Sequence, residues 1–290
     1  MPQATITALN IYPVKSMKGI SLGRAELDSR GLELDRRWMV IREDGRFVTQ
    51  REMHRLALIT PTLNGNRLTL GMDGQDSIHV PDRPEGQPLQ TRVWQDECTV
   101  FSCGSTVSDW LTDALQSRSR LHLVSMAPDY ARRLAKSNLL GSQTTTVFAD
   151  SAPFLVTNQA SLDALNRELC ERALQPVPMD RFRPNIVISG IGAFVEHEVA
   201  ALSHPSFRFS FRFPCERCVI PTIDQGTAER DADMQPFKTL AEINPVRGKP
   251  RAPAFGENAV LEAADGTTIT VGDALEVCFR ETASAACTAG

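Results

Sequence analysis

Cys215 and Cys218 form a Cys-x-x-Cys pair whose residue types could support redox, nucleophilic or metal chemistry. Arg217 stands directly before the second cysteine. The thiolate is the reactive and metal-binding form of cysteine, and a neighbouring cation lowers the pKa of a thiol. Soft thiolate ligands suit metals that also carry sulfur ligands. The pair is therefore the first candidate for a functional site.

The residues around this pair favour some of its possible roles over others. A structural zinc site needs two further ligands, but the sequence has no second Cys-x-x-Cys and no His-x3–5-His spacing. A thioredoxin-like redox pair opens a helix, whereas Val219, Ile220 and Pro221 make a poor helix start. In the remaining interpretation, the two cysteines are buried and act as small hydrophobic residues. The residues alone leave these roles open.

A second candidate lies between Tyr12 and Gly19, where a predicted strand ends. Lys15, Ser16 and Lys18 provide cationic and hydroxyl groups that could hold a phosphate. The segment lacks the Gly-x4-Gly-Lys spacing of a P-loop, so it does not predict a nucleoside-triphosphate site. Its alternative interpretation is a solvated loop.

Two segments place an arginine at the start of a predicted strand. Arg36 belongs to the sequence Asp-Arg-Arg-Trp at 35–38, which suits either bidentate phosphate recognition or a surface charge beside a buried tryptophan. Arg183 is followed by Pro184, which removes an amide donor and stiffens the approach to the strand. The alternative there is the entry to an edge strand.

The composition is that of a globular protein. Of the 290 residues, 42% are hydrophobic and 23% are charged, which is enough apolar material for a sizeable core. A typical domain of about 150 residues predicts two domains or one large one. The net charge of −4 and the absence of dense Lys and Arg runs indicate that nucleic acid is not a partner.

The same sequence gives expectations about location. Its N-terminus has no basic segment followed by an apolar secretory core, and no stretch approaches 18 uninterrupted apolar residues. We therefore expect no membrane partner. Seven scattered cysteines, an odd number, do not indicate a disulfide framework. These features predict a cytoplasmic protein.

Strand patterns dominate the chain, and clear helical periodicity is limited to two segments. Strands and hairpins are predicted over 4–11, 37–51, 56–70, 185–190, 207–213 and 267–279. Helices are predicted after Ser105, with an apolar stripe over 107–115, and after Asn158 as N-cap. Irregularly spaced strands with few helices argue against repeated βαβ units. We predict a mixed, β-dominated (α+β) fold that is barrel-like, with a few covering helices.

Taken together and in this order, several segments resemble the MOSC superfamily, which is named from the C-terminal domain of molybdenum-cofactor sulfurase. The likeness is to the branch of amidoxime-reducing components and bacterial reductases of N-hydroxylated compounds. The matching segments run from residue 12 to 258, nearly the whole chain. They are Tyr12–Ser16, Asp35–Trp38, Thr49–Arg51, Asp150–Leu155, Arg181–Asn185, Cys215–Cys218 and Phe255–Asn258.

The resemblance implies an N-terminal MOSC-associated β-rich domain over 1–120 and a MOSC β-barrel domain over 121–282, with a loose tail over 283–290. It also implies a molybdenum-molybdopterin cofactor bound between the domains. Cys218 would be the catalytic residue and the metal ligand. The residues that would contact or line the cofactor site are Lys15, Ser16, Arg36, Ser151, Arg183, Asn185, Glu216 and Arg217. Relatives often have serine where this chain has Glu216, which leaves a side-chain contact at this position open.

The activity implied by the resemblance is reduction of small N-hydroxylated compounds such as hydroxylamines, amidoximes and N-hydroxylated bases. Cys278 and Cys287 cannot supply the four-cysteine spacing of a plant-type ferredoxin. We therefore expect electrons to come from a separate donor protein, a ferredoxin- or flavin-type reductase. Two alternatives remain: a non-catalytic cofactor-binding or sulfur-handling MOSC protein, and a dithiol redox protein.

Overall fold

The computed structural model describes residues 2–83, 85–127, 132–134, 137–263 and 266–281. Strands make up 45% of the structure and helices 18%, which confirms the predicted β-dominated fold with few covering helices. The predicted loose tail over 283–290 lies outside the described residues. The division into domains at residue 120 stays a prediction. Within the described ranges, no helix is long and apolar enough to cross a membrane.

The described residues form the following elements, numbered in chain order. The strands are β1 (Gln3–Ile11), β2 (Ile20–Leu22), β3 (Arg24–Asp28), β4 (Gly31–Leu32), β5 (Trp38–Arg42), β6 (Thr60–Asn64), β7 (Arg67–Met72), β8 (Gln75–His79), β9 (Glu85–Val93), β10 (Asp96–Ser102), β11 (Leu121–Met126), β12 (Arg132–Arg133), β13 (Thr145–Thr146), β14 (Phe154–Asn158), β15 (Ile186–Ser189), β16 (Val199–His204), β17 (Phe207–Glu216), β18 (Pro245–Val246), β19 (Lys249–Ala263), β20 (Thr268–Thr270) and β21 (Ala274–Phe279). The α-helices are α1 (Ser105–Ala114), α2 (Ser137–Leu140), α3 (Gln159–Glu171) and α4 (Phe237–Ile243).

Seven strands close into a barrel in the order β14-β15-β1-β21-β16-β17-β19, with β19 pairing back to β14. Only the β14–β15 pair in this ring is parallel. Alternate residues of β1, including Ala4 and Ile6, point into the core with Phe154 and Phe209. Because β1 pairs with β15 and β21, the first strand of the chain completes a barrel built mainly from the second half.

A four-stranded sheet, β5-β11-β10-β9, and the meander β6-β7-β8 lie outside the barrel. Helix α1 buries Val107 and Leu111 in a core that also contains Val14 and Met17. This burial confirms the predicted helical stripe. It also packs the segment after β1 firmly, since Val14 and Met17 flank Lys15 and Ser16 and are themselves fully buried.

Two strong local predictions are confirmed by the structure. Asn158 caps α3, because its side chain accepts a hydrogen bond from the backbone N–H of Ala160 at 3.2 Å. The alternating phenylalanines form β17, where Phe207, Phe209 and Phe211 are buried. This strand ends at the Cys-x-x-Cys pair and therefore fixes its position on the barrel.

The predicted terminal hairpin is wrong. Strand β20 pairs with β3, whereas β21 pairs with β1 and β16. Ile269 of β20 and Leu275 of β21 are both buried in the barrel core. Each strand therefore pairs with a strand that already borders this core, and the turn between them changes direction without bringing them together.

The predicted hairpin over 37–51 forms, but its returning strand is shorter than predicted. Phe47 forms a bridge with Ile41 and the Val48 N–H donates to the Val40 carbonyl at 2.8 Å; the backbone then turns, with the N–H groups of Glu52 and Met53 both donating to the Thr49 carbonyl. The hydrogen bonds of this turn replace those of a strand ladder. As a consequence Arg51 leaves the sheet and reaches the barrel. The predicted 56–70 hairpin is real over β6 and β7, but residues His54–Leu58 form a 3-10 helix.

Candidate functional site

A cavity of about 650 Å³ lies at one edge of the barrel and extends to the four-stranded sheet. All nine residues predicted to belong to the site line it. They are Lys15, Ser16, Arg36, Ser151, Arg183, Asn185, Glu216, Arg217 and Cys218. The structure therefore brings together every site residue that the sequence predicted, although the role of each stays a prediction.

Barrel topology explains how distant segments meet here. Strand β1 ends where its antiparallel neighbour β15 begins, with Leu9 opposite Ile186. Strand β14 begins at the same edge because it runs parallel to β15. The segments that follow β1 and precede β14 and β15 consequently converge. Arg217 joins them from the end of β17, where its backbone N–H donates to the Pro253 carbonyl at 2.8 Å.

The two thiols of the Cys-x-x-Cys pair have different partners. Arg51 Nη2 donates to the Sγ atom of Cys218 at 3.2 Å. Arg217 Nη1 donates instead to Sγ of Cys215 at 2.9 Å, and its Nη2 donates to the Phe182 carbonyl at 2.8 Å. The cation that contacts Cys218 is therefore 167 positions away in the chain. The adjacent arginine, Arg217, contacts the thiol of Cys215.

The structure also bears on the alternative roles of the pair. In the ranges that the structure describes, no group of three or more His, Cys, Asp and Glu side chains is arranged to hold a metal ion. The residues after Cys218 form only a short 3-10 helix at Ile220–Thr222. A thioredoxin-like pair would open a longer α-helix.

Positive charge dominates the cavity lining. Its six cations are Lys15, Arg36, Arg51, Arg132, Arg183 and Arg217, against three carboxylates, Asp96, Asp150 and Glu216. The Glu216 side chain is exposed and accepts a hydrogen bond from Lys249 Nζ at 2.7 Å, so its charge is balanced outside the cavity. The remaining excess of cations favours an anionic ligand.

Two guanidinium groups of the lining contain buried nitrogen atoms without a hydrogen-bond partner. These are Nη1 of Arg51 and Nε of Arg217. A buried, unsatisfied donor on a charged group is costly, so an acceptor placed at these two atoms would stabilise the site. Both belong to arginines that contact the thiols. An anionic group beside Cys215 and Cys218 could therefore accept hydrogen bonds from both of these nitrogen atoms.

Arg36 and Arg183 stack on the ring of buried Tyr12, with guanidinium carbons 4.6 and 4.2 Å from its centroid. Arg183 Nη1 also donates to the Met17 carbonyl at 2.6 Å. Burial, together with the like charge of Arg36, lowers the pKa of Arg183 to about 10. A phosphate at this position would relieve the repulsion between the two cations.

Several cavity residues adopt an unusual backbone conformation. Ser16, Arg36, Trp94 and Arg183 have φ angles of 68°, 47°, 58° and 55°. Only a few per cent of non-glycine residues have positive φ, and such residues are concentrated at functional sites. Neither Asn nor Asp, which tolerate this region best, is present at the four positions. The backbone geometry thus supports a site that sequence chemistry alone suggested.

The sequence patterns missed a cluster at the cavity mouth that consists of Arg51, Trp94 and Asp150. Asp150 forms an ion pair with Lys15, lies 3.5 Å from Arg51 and accepts a hydrogen bond from Trp94 Nε1 at 3.1 Å. Burial favours the neutral acid, but the charges of Lys15 and Arg51 hold the pKa of Asp150 well below its usual range. Arg51 and Asp150 lie in two of the segments that resemble the family, so the resemblance could have indicated them. Trp94 lies in none of these segments.

Two other buried residues, one of them in the cavity lining, support its position. Arg132 is almost fully buried, and its Nε donates to Asp96 at 2.9 Å. Its Nη1 donates to the carbonyls of Val147 and Ala149 at 3.1 and 2.7 Å. Gln50, which is also buried, donates to the Ser16 carbonyl at 2.8 Å. These bonds fix the segments that carry Asp150 and Ser16.

We expect the stability of the cofactor-free protein to depend on pH through Lys15. Burial lowers the pKa of Lys15 to about 8, against the opposing effect of Asp150, so the unfolded chain binds this proton more tightly. The free energy of unfolding should therefore rise by roughly 1–2 kcal/mol between pH 7 and 9.5. Urea unfolding should show this rise in the wild type and in Lys238→Met, and not in Lys15→Met. Parallel curves for all three proteins would contradict the assignment.

Comparison with known proteins gives a consistent result. A family model described as "MOSC N-terminal beta barrel domain" matches residues 3–118, and one described as "MOSC domain" matches residues 143–276. "Mitochondrial amidoxime-reducing component 1" of Mus musculus is 33% identical over 283 residues, and the Homo sapiens protein of the same name is 32% identical over 281. Each alignment covers 93% of this chain and 81% of the relative. "Molybdenum cofactor sulfurase" of Bos taurus is 32% identical over 254 residues, which cover 82% of this chain and 28% of that protein.

Proposed function

The chain belongs to the MOSC family, and on that premise we propose that it is a molybdenum-cofactor-dependent oxidoreductase that reduces small N-hydroxylated compounds. The observation that carries the proposal is the combination of a half-buried thiol, Cys218, with unsatisfied guanidinium donors in one cationic cavity. A molybdopterin brings a phosphate as well as a metal. The cavity offers a soft ligand for the metal and positive charge for the phosphate.

The lining residues fit such a cofactor. Cys218 would ligate the molybdenum as a thiolate. Arg36 and Arg183, with Lys15 and Ser16, would hold the phosphate and pterin. When bound, the cofactor would supply the two-electron redox chemistry.

The chain's own residues would then bind, orient and shield the reactants. Arg51 donates a hydrogen bond to Cys218 Sγ and fixes the direction of this thiol. Asn185 Oδ1 accepts hydrogen bonds from Arg36 Nη1 at 3.2 Å and from the Leu155 N–H at 3.1 Å, which ties the cationic group to the barrel wall. Such supporting contacts determine how precisely a metal ligand is placed.

The overall reaction requires two electrons and two protons. They convert an N–OH group into N–H and release the oxygen as water. We propose that the electrons come from a separate ferredoxin- or flavin-type donor protein. Lys15 is buried in the cavity lining, and its pKa is lowered to about 8. It is therefore suited to hold a proton near Asp150.

The first test is elemental analysis of protein purified from cells that make the cofactor. We expect about one molybdenum and at least one phosphorus per chain, because the folded cavity should retain the cofactor through purification. The loaded protein, once reduced chemically, should then convert benzamidoxime to benzamidine. Less than about a tenth of a metal per chain would refute cofactor binding.

The alternative, a non-catalytic cofactor-binding or sulfur-handling protein, has support in the similarity to molybdenum cofactor sulfurase. The same preparation distinguishes the two. Full molybdenum occupancy without turnover of hydroxylamine or benzamidoxime would favour the carrier. A dithiol redox protein would contain no metal and would depend equally on Cys215 and Cys218.

A further inference from the structure

Trp94 occupies a position in which tryptophan is unexpected. It lies in the two-residue turn between β9 and β10, where Val93 pairs with Asp96. Its φ angle is 58°, a backbone conformation that Gly, Asn or Asp normally adopts in hairpin turns. The side chain is nevertheless large, apolar and 46% exposed. Neither turn geometry nor core packing accounts for an indole here, and an observed backbone outlier at a cavity is a reason to look for function.

Three contacts hold the indole ring in a defined orientation. The guanidinium carbon of Arg51 lies 4.9 Å from the ring centroid, and Phe47 packs edge-on at 5.2 Å with an interplanar angle of 75°. Trp94 Nε1 donates to Asp150 at 3.1 Å. The ring is therefore anchored by cation–π, edge and hydrogen-bond contacts while nearly half of the side chain stays open to solvent. A freely rotating surface residue would show no such set of contacts.

The anchored ring is linked to the candidate metal ligand through one residue. Arg51 contacts Trp94 through its guanidinium group and donates through Nη2 to Cys218 Sγ at 3.2 Å. Trp94 and Cys218 line the same cavity. A molecule that stacks on the indole would therefore lie in the cavity that also contains Cys218.

We propose that Trp94 is a specificity-determining residue, a platform on which the planar, conjugated part of the substrate stacks. This inference rests on the proposed function and narrows its substrate class. The site should prefer aromatic amidoximes and N-hydroxylated nucleobases, whose rings present a flat face, over aliphatic N-hydroxylated compounds of the same reactive group. Stacking on an aromatic side chain recognises a ring without requiring a particular hydrogen-bond pattern.

The test compares benzamidoxime with acetamidoxime in cofactor-loaded protein. Trp94→Gly removes the ring and suits the positive φ of the turn, so this variant should fold. Trp94→Phe keeps a stacking surface, and Trp110→Phe is a distant control on α1. We expect the ratio of kcat/KM for benzamidoxime to that for acetamidoxime to fall about 10-fold or more in Trp94→Gly, through KM, and to change less than about 3-fold in the other two.

A second measurement does not depend on turnover. Benzamidoxime added to loaded but unreduced protein should quench indole fluorescence in the wild type and in Trp110→Phe, and not in Trp94→Phe. Quenching without turnover in the wild type would retain the platform and reject the proposed reductase. Turnover of both substrates with an unchanged ratio in Trp94→Gly, or equal quenching in Trp94→Phe, would overturn the platform and leave the reductase intact.

Discussion

Cys218→Ser is expected to lower the molybdenum content to below about a tenth of an atom per chain and turnover by at least about 100-fold. Loss of groups that merely orient a metal ligand typically costs 10- to 100-fold, so loss of the ligand itself should cost at least as much. Serine keeps the shape of the side chain but removes the soft thiolate that suits this metal. Metal analysis and benzamidoxime turnover of the same preparations measure both effects.

Cys215→Ser is the matched control for this substitution. It removes the neighbouring thiol, whose partner is Arg217 Nη1 at 2.9 Å, and leaves the Arg51–Cys218 contact in place. We expect metal content and turnover within about 3-fold of the wild type, because the hydroxyl of serine still accepts a hydrogen bond. Equal damage from the two substitutions, in protein without metal, would point to dithiol redox chemistry in place of a metal site.

Arg183→Gln should weaken retention of the cofactor about 10- to 100-fold. A hydrogen bond to a charged group contributes roughly 1.5–3 kcal/mol, and each 1.4 kcal/mol is a factor of ten in affinity. Arg183 is buried beside Arg36 on the face of Tyr12, and burial lowers its pKa to about 10. A bound anion would stabilise the charged form of this guanidinium group. The measurement is the rate at which phosphorus and molybdenum are lost together during dialysis.

The control for Arg183→Gln is Arg181→Gln, two residues earlier in the chain. Arg181 Nη2 donates to Asp224 at 2.7 Å, and Arg181 is not part of the cavity lining. Thermal unfolding of the cofactor-free variants shows whether either substitution disturbs the fold. If both variants lose the cofactor at the same rate while unfolding alike, Arg183 has no specific role in phosphate binding.

Much of the local structure could be predicted from sequence. Alternating phenylalanines from 207 to 213 have the two-residue period of a strand, and the apolar stripe of α1 has the helical period. Asn158 caps α3 through its own side chain. These features depend on residues close together in the chain, so a local pattern contains the necessary information. The wrong prediction at 267–279 depends on partner strands that are distant in the chain, which no local pattern specifies. The predicted strand at 47–51 is instead shortened by a turn at Thr49.

The sequence by itself determined the chemistry available at the site: a thiol at 218, hydroxyls, and a set of cations that are spread from residue 15 to 217. Only the tertiary structure decided which cation meets which thiol, since Arg51 and Cys218 are 167 positions apart. The barrel order brings the ends of β1, β14 and β15 together, and the turn at Thr49 releases Arg51 from the sheet. The physical reason is that a functional contact between distant residues follows from strand pairing and burial in the whole barrel. Adjacent residues cannot reveal it, and for that reason Trp94 had no signal in the sequence.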